Sequence, residues 1–307
     1  MKIALVTPAG AGMRNGNRHT ALRWAAFLRA AGHKVAVATK DIGSKADLLL
    51  ALHARRSHES ILDFWRNHPD RRIVLALTGT DVYRDIHIHG EAQESLERAD
   101  RLIVLQAKAI EELPSHLREK ARVVVQSSAT RLRQDPAKGP FRVCVIGHLR
   151  EEKNPLLALA ALRFLPDADV EVLQVGALLD PKFRPETNDR RYRWLGDVPH
   201  PRALKWLASS HAMVISSRME GGANVVCEAI RIGVPVLASH IPGNIGLLGE
   251  RYAGYFPIGD ERALARLIAL VAKDKTLYST LKKQIAKLRP MVAPQAEAKA
   301  LLAAIRA

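Results

Sequence analysis

The chain has 307 residues, of which 48% are hydrophobic and 5% aromatic, and its formal net charge is +16. This length predicts about two domains, and the hydrophobic content is sufficient for a core in each. The basic residues are spread along the chain, whereas nucleic-acid-binding proteins usually carry a basic stripe with aromatic platforms. The charge therefore indicates anionic small substrates first, weak attraction to an anionic membrane surface second, and nucleic acid last.

Several classes of protein are disfavoured by patterns that the sequence lacks. No apolar run approaches the about 18 residues of a membrane span, and residues 1–6 do not resemble a signal peptide, so the cytoplasm is the expected location. The two cysteines, Cys144 and Cys227, are predicted to be small buried residues, one in a strand and one in a helix. The absence of a Walker A pattern, a Gly-x-Ser-x-Gly motif and metal-ligand spacing argues against a kinase, a hydrolase and a metalloenzyme.

Apolar runs alternate with helical patterns throughout the first half of the chain. The run at residues 2–8 is typical of a parallel strand buried on both faces, and a glycine-rich loop follows it. His87 and His89 are expected in a loop, without a functional role. The pattern predicts further strands at 34–39, 47–52, 72–77, 101–105 and 122–125, and helices at 19–31, 57–67, 91–99 and 107–113.

The polar segment 134–140, which contains Pro and Gly, is the best candidate for a linker, and the alternating pattern starts again after it. Pro155 is expected at the first position of a helix, where its missing N–H costs nothing. The pattern predicts strands at 141–146, 170–175, 193–195, 212–216 and 234–238, and helices at 155–164, 203–208, 261–271, 281–288 and 295–305.

Strands that alternate with helices predict an α/β protein built on doubly wound parallel sheets. We expect two Rossmann-like domains, at residues 1–135 and 136–288, that face a central cleft. Ligands of such sheets bind at the carboxyl ends of the strands. The glycine loops at 10–16, 147 and 221–222 all follow predicted strands, so they are expected to line the cleft.

The segment 216–230 combines the end of a strand, two glycines and the start of a helix. The free N–H groups of the first helical turn, together with the helix dipole, would form an anion site there. Two carboxylates, Glu220 and Glu228, bracket the glycine turn. For an isolated Glu-Gly-Gly a helix cap would be the simpler interpretation, but the preceding strand and the strand pattern at 233–236 favour a binding site.

Two motifs in the second half resemble those of a known enzyme family. Residues 147–155, with the sequence Gly-His-Leu-Arg-Glu-Glu-Lys-Asn-Pro, resemble the phosphate loop of GT-B glycosyltransferases, especially the glycogen-synthase-like family 4. Glu220 and Glu228, with seven residues between them, resemble the paired glutamates of that family. The segments 194–199 and 233–236 agree with it, and the resemblance covers nearly the whole second half.

The resemblance implies a GT-B fold with a nucleotide-sugar donor bound to the second domain. Lys153 would neutralise the donor diphosphate, Glu228 would bind the ribose hydroxyls, and Glu220 would contact the donor sugar. His148 stands where the family commonly has Arg, so either Arg150 supplies that charge or the phosphate is held less strongly. The implied donor-binding residues are His148, Arg150, Lys153, Val198, Gly221, Gly222, Asn224 and Glu228.

The resemblance also implies where the end of the chain lies and which groups neutralise the negative charge of the donor diphosphate. In GT-B proteins the C-terminal segment, here 289–307, crosses back onto the first domain. No Asp-x-Asp motif lies near the phosphate loops, so neither a metal ion nor another cofactor is expected. Lys153, the backbone amides of the glycine turn and the helix dipole would then take the place of a cation.

The polar and basic stretches 7–25 and 76–85 are similar to those of the selenosugar synthases of selenoneine biosynthesis, a short GT-B subgroup. This resemblance implies transfer of a sugar from UDP-N-acetylglucosamine (UDP-GlcNAc) or UDP-glucose to selenophosphate, giving a 1-selenosugar. Arginine forks match phosphate oxygens, so the acceptor phosphate is expected to meet arginines. The candidate catalytic residues are Glu220, Asp81 and Arg18, and the candidate acceptor-binding residues are Gly10, Gly12, Arg14, Asn17, Thr20 and Arg84.

Two other functions are compatible with the same motifs. A GT-B hexosyltransferase could act on a hydroxyl of a lipid, a saccharide or a small metabolite. A GT-B protein that has lost catalysis would serve as a binding module, but the presence of Lys153, Glu220 and Glu228 argues against this. The sequence leaves open the donor sugar, the stereochemistry at the anomeric carbon and the oligomeric state.

Overall fold

A computed structural model describes residues 1–12, 16–40 and 45–306. The chain divides into two compact units. Unit 1 consists of Met1–Gln126, Glu220–Ala223 and Pro294–Ala307, and unit 2 consists of Ser127–Met219 and Asn224–Ala293. Within the described residues, no helix has the length and apolar character needed to cross a bilayer.

Unit 1 contains a six-stranded sheet in which all neighbouring strands are parallel. Its first strand lies inside the sheet, since Ile3 pairs with Val35 on one side and with Leu48 on the other. The strand order is β2-β1-β3-β4-β5-β6. The strands are β1 (Lys2–Val6), β2 (Lys34–Ala38), β3 (Leu48–Leu52), β4 (Arg72–Leu77), β5 (Arg101–Val104) and β6 (Ala121–Val123).

Unit 2 contains a second sheet of six parallel strands, with the order β12-β11-β10-β7-β8-β9. The order reverses between two adjacent strands in the middle of the sheet, which is the topological switch point of a doubly wound fold. The strands are β7 (Phe141–Ile146), β8 (Val170–Val175), β9 (Tyr192–Trp194), β10 (Ala212–Ile215), β11 (Val236–Ser239) and β12 (Tyr255–Phe256).

Helices form many of the connections between consecutive strands, since parallel strands need a crossover. A π-helical turn at Asp81–Asp85 and a 3₁₀ turn at Glu151–Lys153 follow two of the strands. The helices are α1 (Gly16–Ala30), α2 (His58–Asn67), α3 (Ile86–Ile88), α4 (Gly90–Arg98), α5 (Leu157–Leu162), α6 (His200–Ala208), α7 (Asn224–Ile232), α8 (Pro242–Leu248), α9 (Glu261–Lys273), α10 (Lys275–Leu288) and α11 (Pro294–Arg306).

The sheet of unit 1 has an apolar core on each face. Leu49 of β3 belongs to one core, and its neighbour Leu50 belongs to the other, because successive side chains of a strand point to opposite faces. Both cores must be filled, so the strand is apolar throughout. Leu301 and Ile305 of α11 lie in the same core as Leu50, which places the last helix of the chain in unit 1.

Three local predictions were wrong. Pro155 is not the first residue of a helix, because Asn154 adopts a φ of 44° after the 3₁₀ turn and α5 begins only at Leu157. His87 lies in the short helix α3, not in a loop, and its Nε2 is 3.2 Å from Glu112. The helix predicted at 107–113 is a 3₁₀ turn at Ala107–Ile110.

The predicted linker is bound to unit 2. The backbone N–H of Gln134 donates to the carbonyl of Ile232 at 3.2 Å, and that of Asp135 donates to Ala208 at 2.9 Å. The predicted linker therefore groups with unit 2, which begins at Ser127. The glycine turn Glu220–Ala223 groups with unit 1.

Candidate functional site

The switch point of unit 2 lies between β7 and β10, which are adjacent in the sheet and lead into separate loops. The loop after β7 begins at Gly147, and Ser216 and Ser217 follow β10. These residues line a small cavity together with Lys153 and Gln174. Ligands of open α/β sheets bind at this position, so this cavity identifies the candidate site of unit 2.

Close backbone packing shapes the loop after β7. Gly176 has a φ of 149°, and a Cβ atom built there would lie 2.0 Å from the carbonyl oxygen of Gly147. The backbone N–H of Ala177 donates to Nδ1 of His148 at 3.1 Å. His148 therefore anchors the loop through Nδ1, which is a positioning role that the family resemblance did not imply.

Lys153 is held at the cavity by its backbone and by its stem. The hydroxyl of Ser216 donates to the carbonyl of Lys153 at 3.1 Å and to that of Asn154 at 2.9 Å. The stem passes beside Gly147, where an added Cβ would lie 3.8 Å from Cδ of Lys153. Arg150 is paired with Glu152 across 3.8 Å. The structure thus brings Lys153 to the cavity, while Arg150 has an acidic partner within its own loop.

Gln174 is a residue of this cavity that the sequence reasoning missed. Its side chain is fully buried on β8, and its Nε2 donates to the carbonyl of Gly147 at 3.4 Å. Its Oε1 has no hydrogen-bond partner among the described residues. A polar residue near the end of this strand, between Leu173 and Val175, was the available signal, because buried amides normally require partners.

Glu228 lies on α7, and its carboxylate meets a side chain from α6. Nε2 of His200, the first residue of α6, is 2.7 Å from Oε1 of Glu228. The side chain of Glu228 is only 14% exposed, whereas that of His200 is 47% exposed. Val198, two residues before His200, is half-buried, and Asn224 is the first residue of α7.

The glycine turn Glu220–Ala223 packs tightly within unit 1. A Cβ at Gly221 would lie 2.5 Å from the carbonyl carbon and oxygen of Thr78, and one at Gly222 would lie 2.4 Å from Cβ of Leu105. Glu220 is 7% exposed. Both glycines are therefore required by packing, which is a different reason from the phosphate approach that the resemblance implied.

Two of the N-terminal candidates are buried and make hydrogen bonds within unit 1. Asp81 is fully buried, and its carboxylate accepts the backbone N–H groups of Ala54, Thr78 and Gly79 at 2.7–3.1 Å. Thr20 is buried as well, and its hydroxyl donates to the carbonyl of Gly16 at 2.9 Å. Nε2 of Gln126 also donates to the hydroxyl of Thr20. The roles expected for Asp81 and Thr20 in orienting sugar or acceptor stay predictions.

The other N-terminal candidates are placed as follows. Arg18 and Asn17 are half-buried in the first turn of α1. Arg84 forms an ion pair with Asp85, in which Nε and Oδ1 are 2.9 Å apart. Gly10 and Gly12 follow β1, and an added Cβ at either position would meet no atom of the described residues within 4 Å. Arg14 lies outside the described residues.

His53 is a second residue that the sequence reasoning missed. It follows β3 at the carboxyl end of the strand, is 2% exposed and has a φ of 77°. Its Nε2 is 3.2 Å from the hydroxyl of Thr80 and 3.8 Å from Asp85. Burial lowers the pKa of His53, against the opposing effect of Asp81. A histidine directly after a buried strand was the signal, because ligands of such sheets bind at the carboxyl ends of the strands.

Both cysteines are buried, and neither forms a disulfide bond among the residues that the structure describes. Burial raises the pKa of the Cys144 thiol to about 12, so this sulfur is protonated and unsuited to nucleophilic attack at neutral pH. Among the residues that the structure describes, no group of three or more His, Cys, Asp and Glu side chains could hold a metal ion.

Comparison with known proteins establishes the family. Residues 126–288 match the family model described as "Glycosyl transferases group 1". The chain belongs to this family. Over 274 residues this glycosyltransferase is 24% identical to the Xenopus tropicalis protein named "Glycosyltransferase 1 domain-containing protein 1", covering 78% of this chain and 79% of the relative.

A second curated relative covers a shorter part of the glycosyltransferase. It is the Escherichia coli "UDP-Gal:alpha-D-GlcNAc-diphosphoundecaprenol alpha-1,3-galactosyltransferase". The two proteins are 25% identical over 154 residues, which represent 46% of this chain and 38% of the relative.

Solved structures show the same fold. Anabaena HepE, crystallised with UDP and glucose, superimposes with a TM-score of 0.76 at 16% identity, covering 97% of both chains. Sucrose-phosphate synthase from Thermosynechococcus elongatus gives a TM-score of 0.72 at 18% identity, covering 97% of this chain and 96% of that one. With the two parallel six-stranded sheets, these likenesses confirm the predicted α/β, GT-B fold.

Proposed function

We propose that this glycosyltransferase transfers N-acetylglucosamine or glucose from a UDP-sugar to selenophosphate in selenoneine biosynthesis. The selenium attacks the anomeric carbon, the bond from that carbon to the diphosphate oxygen breaks, and UDP leaves with the electron pair. Hydrolysis of the selenium–phosphorus bond then releases phosphate and gives the 1-selenosugar. No metal ion is required, because protein groups balance the charge of the leaving UDP.

The position of Lys153 at the switch point of unit 2 is the main support for the proposed binding of a UDP-sugar donor. Its stem passes beside Gly147 and its backbone is held by Ser216, so the ammonium group is tethered beside the cavity. A compact ammonium on a flexible stem suits a diphosphate. The choice of a UDP-sugar is supported by HepE, crystallised with UDP and glucose, and by the E. coli relative, named for UDP-Gal.

The acceptor half rests on the resemblance of residues 7–25 and 76–85 and on the chemistry available in unit 1. Asp81 accepts several backbone N–H groups, so the proposal does not rely on it as a general base. Selenophosphate is already an anionic nucleophile and needs no strong base. Arg18 and Arg84, which are both half-buried, are the candidates to hold its phosphate group.

A hydroxyl acceptor is the second candidate. The name of the E. coli relative describes transfer to a GlcNAc-diphosphate lipid, and this observation favours a saccharide or lipid hydroxyl. A group with the reach and basicity to deprotonate that hydroxyl would then be needed in unit 1. Glu220, at 7% exposure, is the carboxylate to test for this role.

The test is to incubate the purified protein with UDP-GlcNAc or UDP-glucose and selenophosphate, and to follow free UDP and selenium-containing sugars by mass spectrometry. Release of UDP with a selenium-bearing sugar supports the proposal. Transfer to saccharide or lipid hydroxyls, without a selenium product, supports the alternative instead. The Lys153→Ala variant should lose turnover, whereas Lys182→Ala should retain it, because Lys182 is an exposed partner of Glu151.

A further inference from the structure

Glu228 and His200 form a contact between two helices of unit 2. Nε2 of His200 lies 2.7 Å from Oε1 of Glu228, although the two residues are 28 positions apart in sequence. His200 begins α6 and follows Pro199, and Glu228 lies inside α7. A distance of 2.7 Å is in the range of a strong, charge-assisted hydrogen bond from a ring N–H to a carboxylate.

The contact leaves the carboxylate with capacity for another ligand. An ionised carboxylate accepts at about four lone-pair positions on its two oxygens, and His200 uses one position on Oε1. Burial of Glu228 to 14% exposure, against 47% for His200, indicates that the histidine covers one side of the carboxylate. A glutamate held in one rotamer loses less conformational freedom when a ligand binds.

We propose that His200 is a positioning residue for nucleoside diphosphate binding. By donating to Oε1, it holds the Glu228 carboxylate in the orientation that accepts the vicinal hydroxyls of the donor ribose. This inference rests on the proposed function and on the family resemblance, which implies that Glu228 binds the ribose of the UDP-sugar. His200 does not touch the reacting atoms, so it affects the affinity for the nucleotide and not the chemical step.

A double-mutant cycle tests the inference. Binding of UDP is measured by calorimetry for the wild-type protein, His200→Ala, Glu228→Ala and the double variant. His200→Ala should weaken UDP binding about fivefold to tenfold, the contribution of one hydrogen bond. The same substitution should have no further effect in the Glu228→Ala background, because the side chain that His200 orients is then absent.

Two further readouts separate positioning from a general structural role. His200→Gln, which keeps an N–H donor, should recover part of the affinity for UDP. In turnover assays, His200→Ala should raise the KM for the UDP-sugar and leave kcat nearly unchanged. The matched control is His116→Ala, which removes another exposed histidine paired with a glutamate, Glu97, at 2.8 Å in unit 1. This control should bind UDP as the wild type does.

The outcomes distinguish the inference from the function on which it rests. If Glu228→Ala weakens UDP binding but His200→Ala does not, the inference is overturned and the donor site stands. Tighter UDP binding by His200→Ala would mean that the histidine competes with the ribose, which also overturns the inference. If His200→Ala weakens UDP binding equally in the wild-type protein and in Glu228→Ala, His200 acts independently of Glu228. This outcome also overturns the inference. If Glu228→Ala leaves UDP binding unchanged, the proposed ribose site itself is wrong.

Discussion

Glu297 on α11 accepts a hydrogen bond from Nε1 of Trp24 on α1, at a distance of 2.7 Å. Arg23 binds the same carboxylate through two nitrogens, at 2.8 and 3.1 Å. Glu297 is 1% exposed and Trp24 is fully buried. The last helix of the chain is thus attached to the first helix by a buried, fully bonded carboxylate within unit 1.

Replacement of Glu297 by Ala should destabilise the protein by about 3 kcal/mol, because it leaves the guanidinium of Arg23 without its carboxylate partner. Urea denaturation monitored by Trp fluorescence measures this change. Glu59→Ala is the matched control, since Glu59 pairs with Lys40 at 2.8 Å while 76% of its side chain is exposed. The control should cost less than about 1 kcal/mol, and an equal loss in both variants would contradict the anchoring role of Glu297.

Gly221→Ala should destabilise the protein by about 1–3 kcal/mol, the usual effect of overpacking. The new methyl group would meet the backbone of Thr78 at 2.5 Å, and backbone atoms yield less easily than the end of a flexible side chain. Gly90→Ala is the control, because a Cβ there meets nothing within 4 Å. Denaturant midpoints for both variants test the prediction, and a neutral Gly221→Ala would show that the turn is packed more loosely.

Glu228→Ala should weaken UDP binding by about 1.5–3 kcal/mol, which corresponds to hydrogen bonds with a charged group. The fold should be intact, because the side chain is partly exposed and its removal uncovers no apolar core. Calorimetry with UDP measures the loss, and circular dichroism checks the fold. The exposed Glu186→Ala serves as the control. Affinity equal to that of the wild type would remove Glu228 from the donor site.

Turnover should not require a divalent metal. In the proposed mechanism the Lys153 ammonium and the backbone N–H groups at the start of α7 balance the diphosphate charge. Activity is measured after dialysis against EDTA, with and without added magnesium or manganese. A loss of activity that either metal restores would show that a cation shares this role.

Stability should decrease below neutral pH because of His211. Its Nδ1 accepts the backbone N–H of Arg142 at 3.0 Å. Burial, followed by the charge of Arg142, lowers the pKa of His211, with Glu171 opposing. The unfolded chain therefore binds a proton that the folded protein does not, so this contribution is complete above pH about 6.5 and is lost progressively as the pH falls toward the folded-state pKa.

The corresponding measurement is the free energy of unfolding between pH 7.5 and pH 5. His211→Phe should be less stable at neutral pH, because the acceptor for the Arg142 N–H is lost, but its stability should fall less on acidification. The difference in slope has an upper limit of about 1.4 kcal/mol per pH unit for one proton. Identical slopes in the two proteins would exclude His211 as a source of acid sensitivity.

The candidate site could be predicted only in part. Gly147 was expected at the carboxyl edge of its sheet because a glycine loop after a strand must lie there, whereas Lys153 was proposed from the family resemblance. The backbone hydrogen bonds of Asp81 were not visible in the sequence, because its donors Ala54, Thr78 and Gly79 lie in loops after two different strands. His200 and Gln174 gave no motif, since their relevance depends on contacts with residues distant in sequence.

The sequence by itself determined the alternating α/β pattern and the glycine loops. Strands such as β3 are buried on both faces, so their continuous apolar runs are visible without a structure. Only the tertiary structure decided that Glu297 meets Trp24 across 273 positions, that Glu228 meets His200, and that Gly221 packs against Thr78. The physical reason is that local periodicity reports which face of an element is buried, whereas a polar or backbone contact depends on which distant element covers that face.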